Sequence, residues 1–227
     1  MDAPAIDRLA AFGDLILRAN LNVTSIDDPD DVERFHFLDS LSLLSVDSVK
    51  SACHLADVGS GAGLPAVVLA LALPAAQVIA VESQRKKCAY TGSVARELGL
   101  ENLTPVCARA EDYGRAGGRG AHDVVVTRAV APLAVVAEYS LPLLRVGGSM
   151  VAMKGLVSDQ ERIQGLRALA ILGAGGLEAV RLHPFEGSEN RWAFVAEKVR
   201  PTPAQFPRRP GVPGKRPLGS LTESDGA

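Results

Sequence analysis

Leu55-Ala-Asp-Val-Gly-Ser-Gly-Ala-Gly-Leu64 is the stretch that decides the fold. A short apolar run meets glycines at 59, 61 and 63, and a second apolar run continues from Leu64 to Leu73. This reads as a buried strand, a glycine loop and a helix. Pro65 stands in the first helical turn, where its missing N–H would be unpaired anyway. Glycines let the backbone turn tightly and approach a ligand closely, and the helix N-terminus beyond them favours negative charge. The stretch therefore predicts a nucleotide-type site at the carboxyl end of a strand.

The kind of nucleotide follows from spacing. A dinucleotide loop needs G-x-G-x-x-G, but the sixth position here is Leu64. Asp57, just before the first glycine, would repel a pyrophosphate, whereas a ligand with ribose hydroxyls and a cationic centre tolerates it. Glu82 closes the next apolar strand, Gln77-Val-Ile-Ala-Val-Glu82, and its carboxylate can accept both ribose hydroxyls. D-x-G-x-G-x-G followed by an acid ending the second strand is the pattern of S-adenosylmethionine methyltransferases. An NAD-type site and a purely structural glycine turn are the alternatives.

Composition sets the bounds. The chain has 227 residues, 47% hydrophobic and 22% charged, which suits one globular domain with extensions. No apolar run approaches the roughly 18 residues of a membrane helix, and the acidic start Met1-Asp-Ala-Pro-Ala-Ile-Asp-Arg8 is not a signal peptide. Cys53, Cys88 and Cys107 lack metal-ligand spacing; Cys53 and Cys107 fall in strands expected to be buried, so core thiols of a cytoplasmic protein are predicted. Net charge is −2, unevenly spread. Residues 1–50 hold ten acids against Arg8, Arg18, Arg34 and Lys50, while 198–217 hold six bases and no acid. That asymmetry permits a local phosphate-binding patch.

Apolar spacing puts one helix over Pro4 to Ala19 and a second from Asp28-Pro29 onward, with Val32, Phe35, Leu38, Leu41 and Leu44 on one side. Residues 1–50 thus form a helical cap. From 51 to 199 strands (53–58, 77–82, 103–107, 122–127, 148–153) alternate with helices (64–73, 84–98, 132–141, 158–172), and strands at 177–183 and 191–197 close as a hairpin. The prediction is a Rossmann-like α/β fold with a seven-stranded, mostly parallel sheet. Residues 200–227, with six prolines, are expected to be an extended or disordered basic tail without a helix.

Asn22-Val-Thr24, His36-Phe-Leu-Asp-Ser40, Asp57 to Pro65, Arg109-Ala-Glu111, Thr127-Arg-Ala-Val-Ala131 and Met153-Lys-Gly155 together resemble the small-subunit ribosomal RNA guanine-N7 methyltransferases, the glucose-inhibited division protein B family. The tail Pro207 to Pro217 is similar to that of actinobacterial members. Phe35 replaces the arginine usual before the histidine, Ala66 a glycine, and Glu82 an aspartate. The resemblance implies methyl transfer from S-adenosyl-L-methionine to N7 of a guanine in small-subunit (16S) rRNA, on rRNA or a ribosomal particle, by a cytoplasmic monomer. A small-molecule methyltransferase and a non-enzymatic ribosome-binding module are the alternatives.

Roles are then expected as follows. Gly59 and Gly61 let the backbone meet the methionine part of the cofactor, Leu64 lies where the family packs against it, and Ser60 is expected among the cofactor-binding residues. Asp57 orders the loop or accepts from the cofactor's amino group. Glu82 takes the ribose, or is a solvated acid. The resemblance implies that Ala110 and Glu111 contact the adenine. Arg128, at the end of the fourth strand, is the positioning residue for catalysis. It would touch the cofactor carboxylate or an RNA phosphate, or else pair with a core-edge acid. N7 carries a lone pair and no proton, so no general base is needed. Asn22, Arg109, Lys154, Arg191, Arg208, Arg209, Lys215 and Arg216 are candidates to face RNA. His36 is read as structural, and Trp192, Phe185 and Phe37 as core packing rather than base-stacking residues.

Overall fold

The computed structural model describes residues 1–19 and 28–220. Helix α1 (Ala3–Arg18) begins at Asp2, whose carboxylate accepts from the Ala5 N–H at 3.0 Å. Helix α2 (Pro29–Val32) runs into a π-helical stretch (Glu33–Leu38), α3 (Asp39–Leu41) and a 3-10 turn (Ser42–Ser45); α4 (Asp47–Lys50) follows. Then come β1 (His54–Val58), α5 (Ala66–Ala72), β2 (Gln77–Glu82), α6 (Arg85–Glu97), β3 (Leu103–Cys107), α7 (Ala110–Arg115) and β4 (His122–Arg128). The chain continues with α8 (Leu133–Ser140), β5 (Leu144–Lys154), α9 (Asp159–Leu172), β6 (Glu178–Arg181), β7 (Trp192–Glu197) and α10 (Val212–Lys215).

Seven strands form one sheet in the order β3-β2-β1-β4-β5-β7-β6, with β7 antiparallel to both neighbours. This is the predicted Rossmann-like sheet. The strand order reverses between β1 and β4, where the connections leave on opposite faces and open a crevice. Pairing sets Asp57 opposite Ala80 and Val126, Glu82 opposite Cys107, and Arg128 opposite Met153. The polar residues that end these strands therefore share one edge. One face of the sheet is covered by α5, α6 and the cap, with Phe12, Ile16, Phe37 and Leu43 packed with Val67 and Val124. The other is covered by α8 and α9 together with Phe206. No helix among the described residues is long and apolar enough to cross a membrane.

Several expectations are corrected. In the cap, the π-helical stretch inserts an extra residue per turn and rotates the buried face. Val32 stays buried, but His36, Phe37, Asp39, Ser40 and Leu43 turn inward, while Phe35 and Leu38 are only partly covered. Cys53 and Cys107 are exposed because they lie at strand ends, one just before β1 and one closing the edge strand β3; Cys88 alone of the three is buried. Helix α7 fills a link in which no element was predicted.

The C-terminal segment departs most from expectation. Through residue 220 it is packed on the core and includes the short helix α10, with Pro213 in the first turn, where proline is tolerated. Arg119 donates to the carbonyls of Phe206 at 2.6 Å and Thr202 at 2.9 Å, and Arg115 donates to that of Pro207 at 3.0 Å. Phe206 is buried in the core of the α8–α9 face. A proline-rich strand cannot build its own core, but its free carbonyls suit arginines projecting from the core, and one aromatic anchor supplies the apolar contact.

Candidate active site

The glycine loop is held from below by two buried carboxylates. Asp57 is fully buried, and its Oδ2 accepts from the Ala66 N–H at 3.0 Å, fixing the start of α5. Burial pushes its carboxyl up to about 7; the Ala66 N–H and the charge of Arg128 oppose that, and Glu82 adds to it. Glu82, 7% exposed, accepts from the Gly61 N–H at 3.0 Å through Oε2 and from the Gln84 N–H at 2.7 Å through Oε1. It thus clamps the loop to the end of β2. Gly59 needs its freedom twice: its φ is +77°, and a Cβ there would lie 2.8 Å from Cγ2 of Val130.

Beside this loop lies a cavity of about 410 Å³, lined by Val58, Gly59, Glu82, Ala110, Glu111 and Tyr139 among others. It has the features that S-adenosylmethionine requires. Asp57 Oδ1 and Ser60 Oγ are buried under the loop with no hydrogen-bond partner among the described residues. Neither residue is among those lining the cavity, so they bear on the ammonium of a methionine group through the loop that covers them. Bare backbone at Gly59 permits close approach, Glu82 keeps lone pairs for hydroxyls, and Ala110, Val135 and Pro132 give an apolar slot for a base.

A second cavity, of about 580 Å³, opens at the ends of β4 and β5 and is lined by Phe35, His36, Asp39, Arg128, Lys154, Glu161 and Trp192 among others. Its charges are paired. Asp39 sits between two guanidinium groups, 3.6 Å from Arg128 Nη1 and 3.1 Å from Arg191 Nε. Burial lifts the Asp39 carboxyl above its ordinary value, with both arginines opposing. Arg128 also donates to the Phe35 carbonyl at 3.1 Å, tying β4 to the π-helical stretch. Lys154 donates to the Ala131 carbonyl and pairs with Glu161, each at 2.9 Å, and the same Glu161 oxygen accepts from the Leu133 N–H at the start of α8. Burial, and then the charge of Arg128, lower the His36 imidazole from its usual range.

The link from β4 to α8 separates the cavities. Ala129 lines the second, while Val130, Ala131 and Pro132 line the first. Ala129 has φ of +54°, a left-handed conformation found at no other described non-glycine residue. Strain of this kind persists where surrounding structure over-determines it, often at functional sites.

The sites expected from the sequence are brought together in part. Gly59, Glu82, Ala110 and Glu111 line the first cavity, with Ser60, Gly61 and Leu64 in the loop and turn beneath it. Glu111 is 2% exposed and accepts from the Gly211 N–H at 2.8 Å, so the carboxylate is engaged by the C-terminal segment. Arg128 forms the pair with a core-edge acid, Asp39, that was one of its alternatives. Lys154 and Arg191 line the second cavity, each already in an ion pair, and exposed Arg109 borders the first. Arg208 is not a free surface base: it forms an ion pair with fully buried Glu138. Arg209, Lys215 and Arg216 are exposed. Asn22 lies outside the described residues. Phe37 is core, stacked on Phe12 with centroids 5.7 Å apart, and Phe185 meets Phe35 edge-on at 5.2 Å.

Asp39 and Glu161 were missed. Asp39 stands within the quoted His36 to Ser40 motif, but only the π-helical stretch turns it toward the sheet edge. Glu161 carries no signal beyond its place in the first turn of a helix, three residues after its Ser158 N-cap.

Comparison with known proteins agrees with this geometry. Among curated proteins, the Deinococcus radiodurans "Ribosomal RNA small subunit methyltransferase G" is 41% identical over 95% of this chain and 87% of its own length. The Rubrobacter xylanophilus protein of the same name is 44% identical over 87% and 77%. Among solved structures, a SAM-dependent methyltransferase from Aquifex aeolicus superposes with a TM-score of 0.59 at 16% identity, covering 78% of this chain and 97% of its own, which supports the fold. Residues 5–184 match the family described as rRNA small subunit methyltransferase G, and the chain belongs to that family.

Proposed function

We propose that this chain transfers the methyl group of S-adenosyl-L-methionine to N7 of a guanine in small-subunit (16S) rRNA. The observation that carries it is the meeting of two cavities across residues 129–131, one built for a nucleoside with an ammonium group and one lined by paired charges and aromatic edges.

When bound, the cofactor supplies an electrophilic methyl group. Glu82 would hold its ribose, Ala110 and Pro132 its base, and the loop over Asp57 and Ser60 its amino end. N7 already bears the attacking lone pair, so the protein's task is alignment and charge placement. Methylation leaves the ring cationic. The carboxylates of Asp39 and Glu161 line the cavity the base would enter, each already paired with Arg128 and Arg191 or with Lys154. Arg128 and Arg191 flank Asp39 and oppose the rise that burial imposes on its carboxyl, and Arg191, the more exposed of the two, faces the RNA backbone. Phe35 and Trp192 line the cavity beside an unstacked base, which must leave any helix to reach the site. Exposed Arg109, Arg209, Lys215 and Arg216 contribute phosphate contacts around the opening. In domain terms residues 1–50 are the cap, 51–199 the methyltransferase core, and 200–227 the C-terminal extension, acting as a monomer in the cytoplasm.

The test is transfer of tritiated methyl to small-subunit rRNA from a strain lacking this protein, offered naked and as particles, with product nucleosides resolved. Label in 7-methylguanosine is expected. Label in another nucleoside overturns the atom assigned, and no label in either substrate overturns the rRNA assignment.

A further inference from the structure

The first cavity is not closed by the methyltransferase core alone. Gly214 and Pro217, from the C-terminal segment, line it with Glu82, Glu111 and Tyr139. These residues lie beyond the 5–184 span that matches the family.

The segment is anchored outside the cavity. Lys198 donates to the Leu141 carbonyl at 2.8 Å and the Leu144 carbonyl at 2.6 Å, and Phe206 is buried against the α8–α9 face. The decisive anchor is Arg208. Its backbone N–H and Nε reach Glu138 Oε1 at 2.8 and 2.9 Å, and its Nη2 reaches Oε2 at 2.6 Å. The Glu138 side chain has no exposed surface, so detaching Arg208 would leave a buried carboxylate without its counter-charge. That cost holds the segment down.

Past this anchor the chain turns over the cavity. Gly211, at φ +81°, donates its N–H to Glu111 Oε1, and α10 then places Gly214 on the cavity lining. A Cβ at 214 would meet nothing within 4 Å, so this part of the lining is bare backbone facing open space. Glutamine 164 secures the far end, donating to the Leu218 carbonyl at 3.2 Å and the Ser220 hydroxyl at 2.9 Å.

We infer that residues 211–217 are a strap that forms one wall of the adenosine part of the cofactor site, held by the Arg208–Glu138 and Gly211–Glu111 contacts. The inference rests on the cofactor assignment above. Glu111 acts as a positioning residue for the strap, and Gly214 and Pro217 cover the bound nucleoside. A ligand retained this way gains apolar burial that the core alone does not provide.

The experiment is calorimetric titration of S-adenosylhomocysteine into three chains: full length, one ending at Pro210, and full-length Gly211→Pro. The truncated chain keeps Phe206 and Arg208. Gly211→Pro removes the N–H given to Glu111 and forbids the positive φ while keeping the Gln164 contacts. Melting without ligand checks that each chain is folded. Both variants should bind more weakly by on the order of tenfold, and unliganded melting should fall modestly because Glu111 loses the Gly211 N–H. If the truncated chain melts early, Gly211→Pro carries the test by itself. A folded variant that binds within twofold of full length (roughly the noise of such affinities) overturns the strap alone. A full-length chain that binds no S-adenosylhomocysteine overturns the cofactor assignment, and the strap with it.

Discussion

Arg128→Met, Asp39→Asn and the double substitution separate what Arg128 does for the fold from what it does for the ligand. Arg128 and Asp39 are 3.6 Å apart, with side chains only 17% and 9% exposed. At an effective dielectric of about 20 their gross attraction is about 5 kcal/mol, most of which offsets desolvation. Removing one partner is worse than removing both, because it leaves a nearly dry charge behind. Arg191 remains beside Asp39 at 3.1 Å, but its side chain is 36% exposed, so it replaces only part of the lost attraction. Each single variant should therefore lose about 2–4 kcal/mol in equilibrium urea unfolding. The double variant should lose less than the sum by at least about 1 kcal/mol. Additivity to within about 0.4 kcal/mol would refute the reasoning that the pair is coupled and buried. Methyl transfer by the double variant then answers the second question. If Arg128 acts on substrate or cofactor, the double variant stays about 100-fold or more below Asp39→Asn alone although stability returns. If activity recovers with stability, Arg128 only ties the cap to β4.

Three further outcomes are expected. Gly59→Ala should cost about 1–3 kcal/mol, from the positive φ and the Val130 contact, and should weaken S-adenosylhomocysteine binding; adding Val130→Ala, read by the same melts and titrations, should recover the contact part and not the φ part. Asp57 keeps its proton up to about pH 7, and a ligand ammonium favours the ionised form. Affinity for S-adenosylhomocysteine should therefore rise from about pH 6 to about pH 8, and binding near pH 6 should release a proton, seen by titration in two buffers of different ionisation enthalpy; a flat profile removes Asp57 from the ammonium site. Lys154→Met should lose about 1–3 kcal/mol by leaving Glu161 unpaired at the start of α8, and Glu161→Gln in the same chain should restore part of it in urea unfolding.

Local chemistry carried far in this chain. The alternation of apolar runs from residue 51 onward, punctuated by Gly99 and Gly173, specified the strands and their parallel order, because a strand buried on both faces and a covering helix each leave a continuous apolar mark. The glycines at 59, 61 and 63 and the acids Asp57 and Glu82 marked the cavity at the ends of β1 and β2, because a close backbone approach needs glycine and the loop needs acceptors nearby. The resemblance at Thr127-Arg-Ala-Val-Ala131 singled out the link that the structure places between the cavities.

Tertiary structure alone decided which charges are spent. Lys154, Arg191 and Arg208 were read as available to RNA, and Arg128 to a ligand or to a core-edge acid, yet each has an acid: Glu161 seven residues on for Lys154, and the remote Asp39, Asp39 again and Glu138 for Arg128, Arg191 and Arg208. Such pairs span up to 152 positions and leave no periodic trace. The buried face of the cap depended on one π-helical stretch, which shifts every following residue and brings Asp39 to the sheet edge. The C-terminal segment has the composition of a disordered tail. Only the folded core shows that Glu138 is buried, and a buried carboxylate must find its cation. Composition reports what a segment can do by itself; whether it is ordered was decided by a charge 70 residues away.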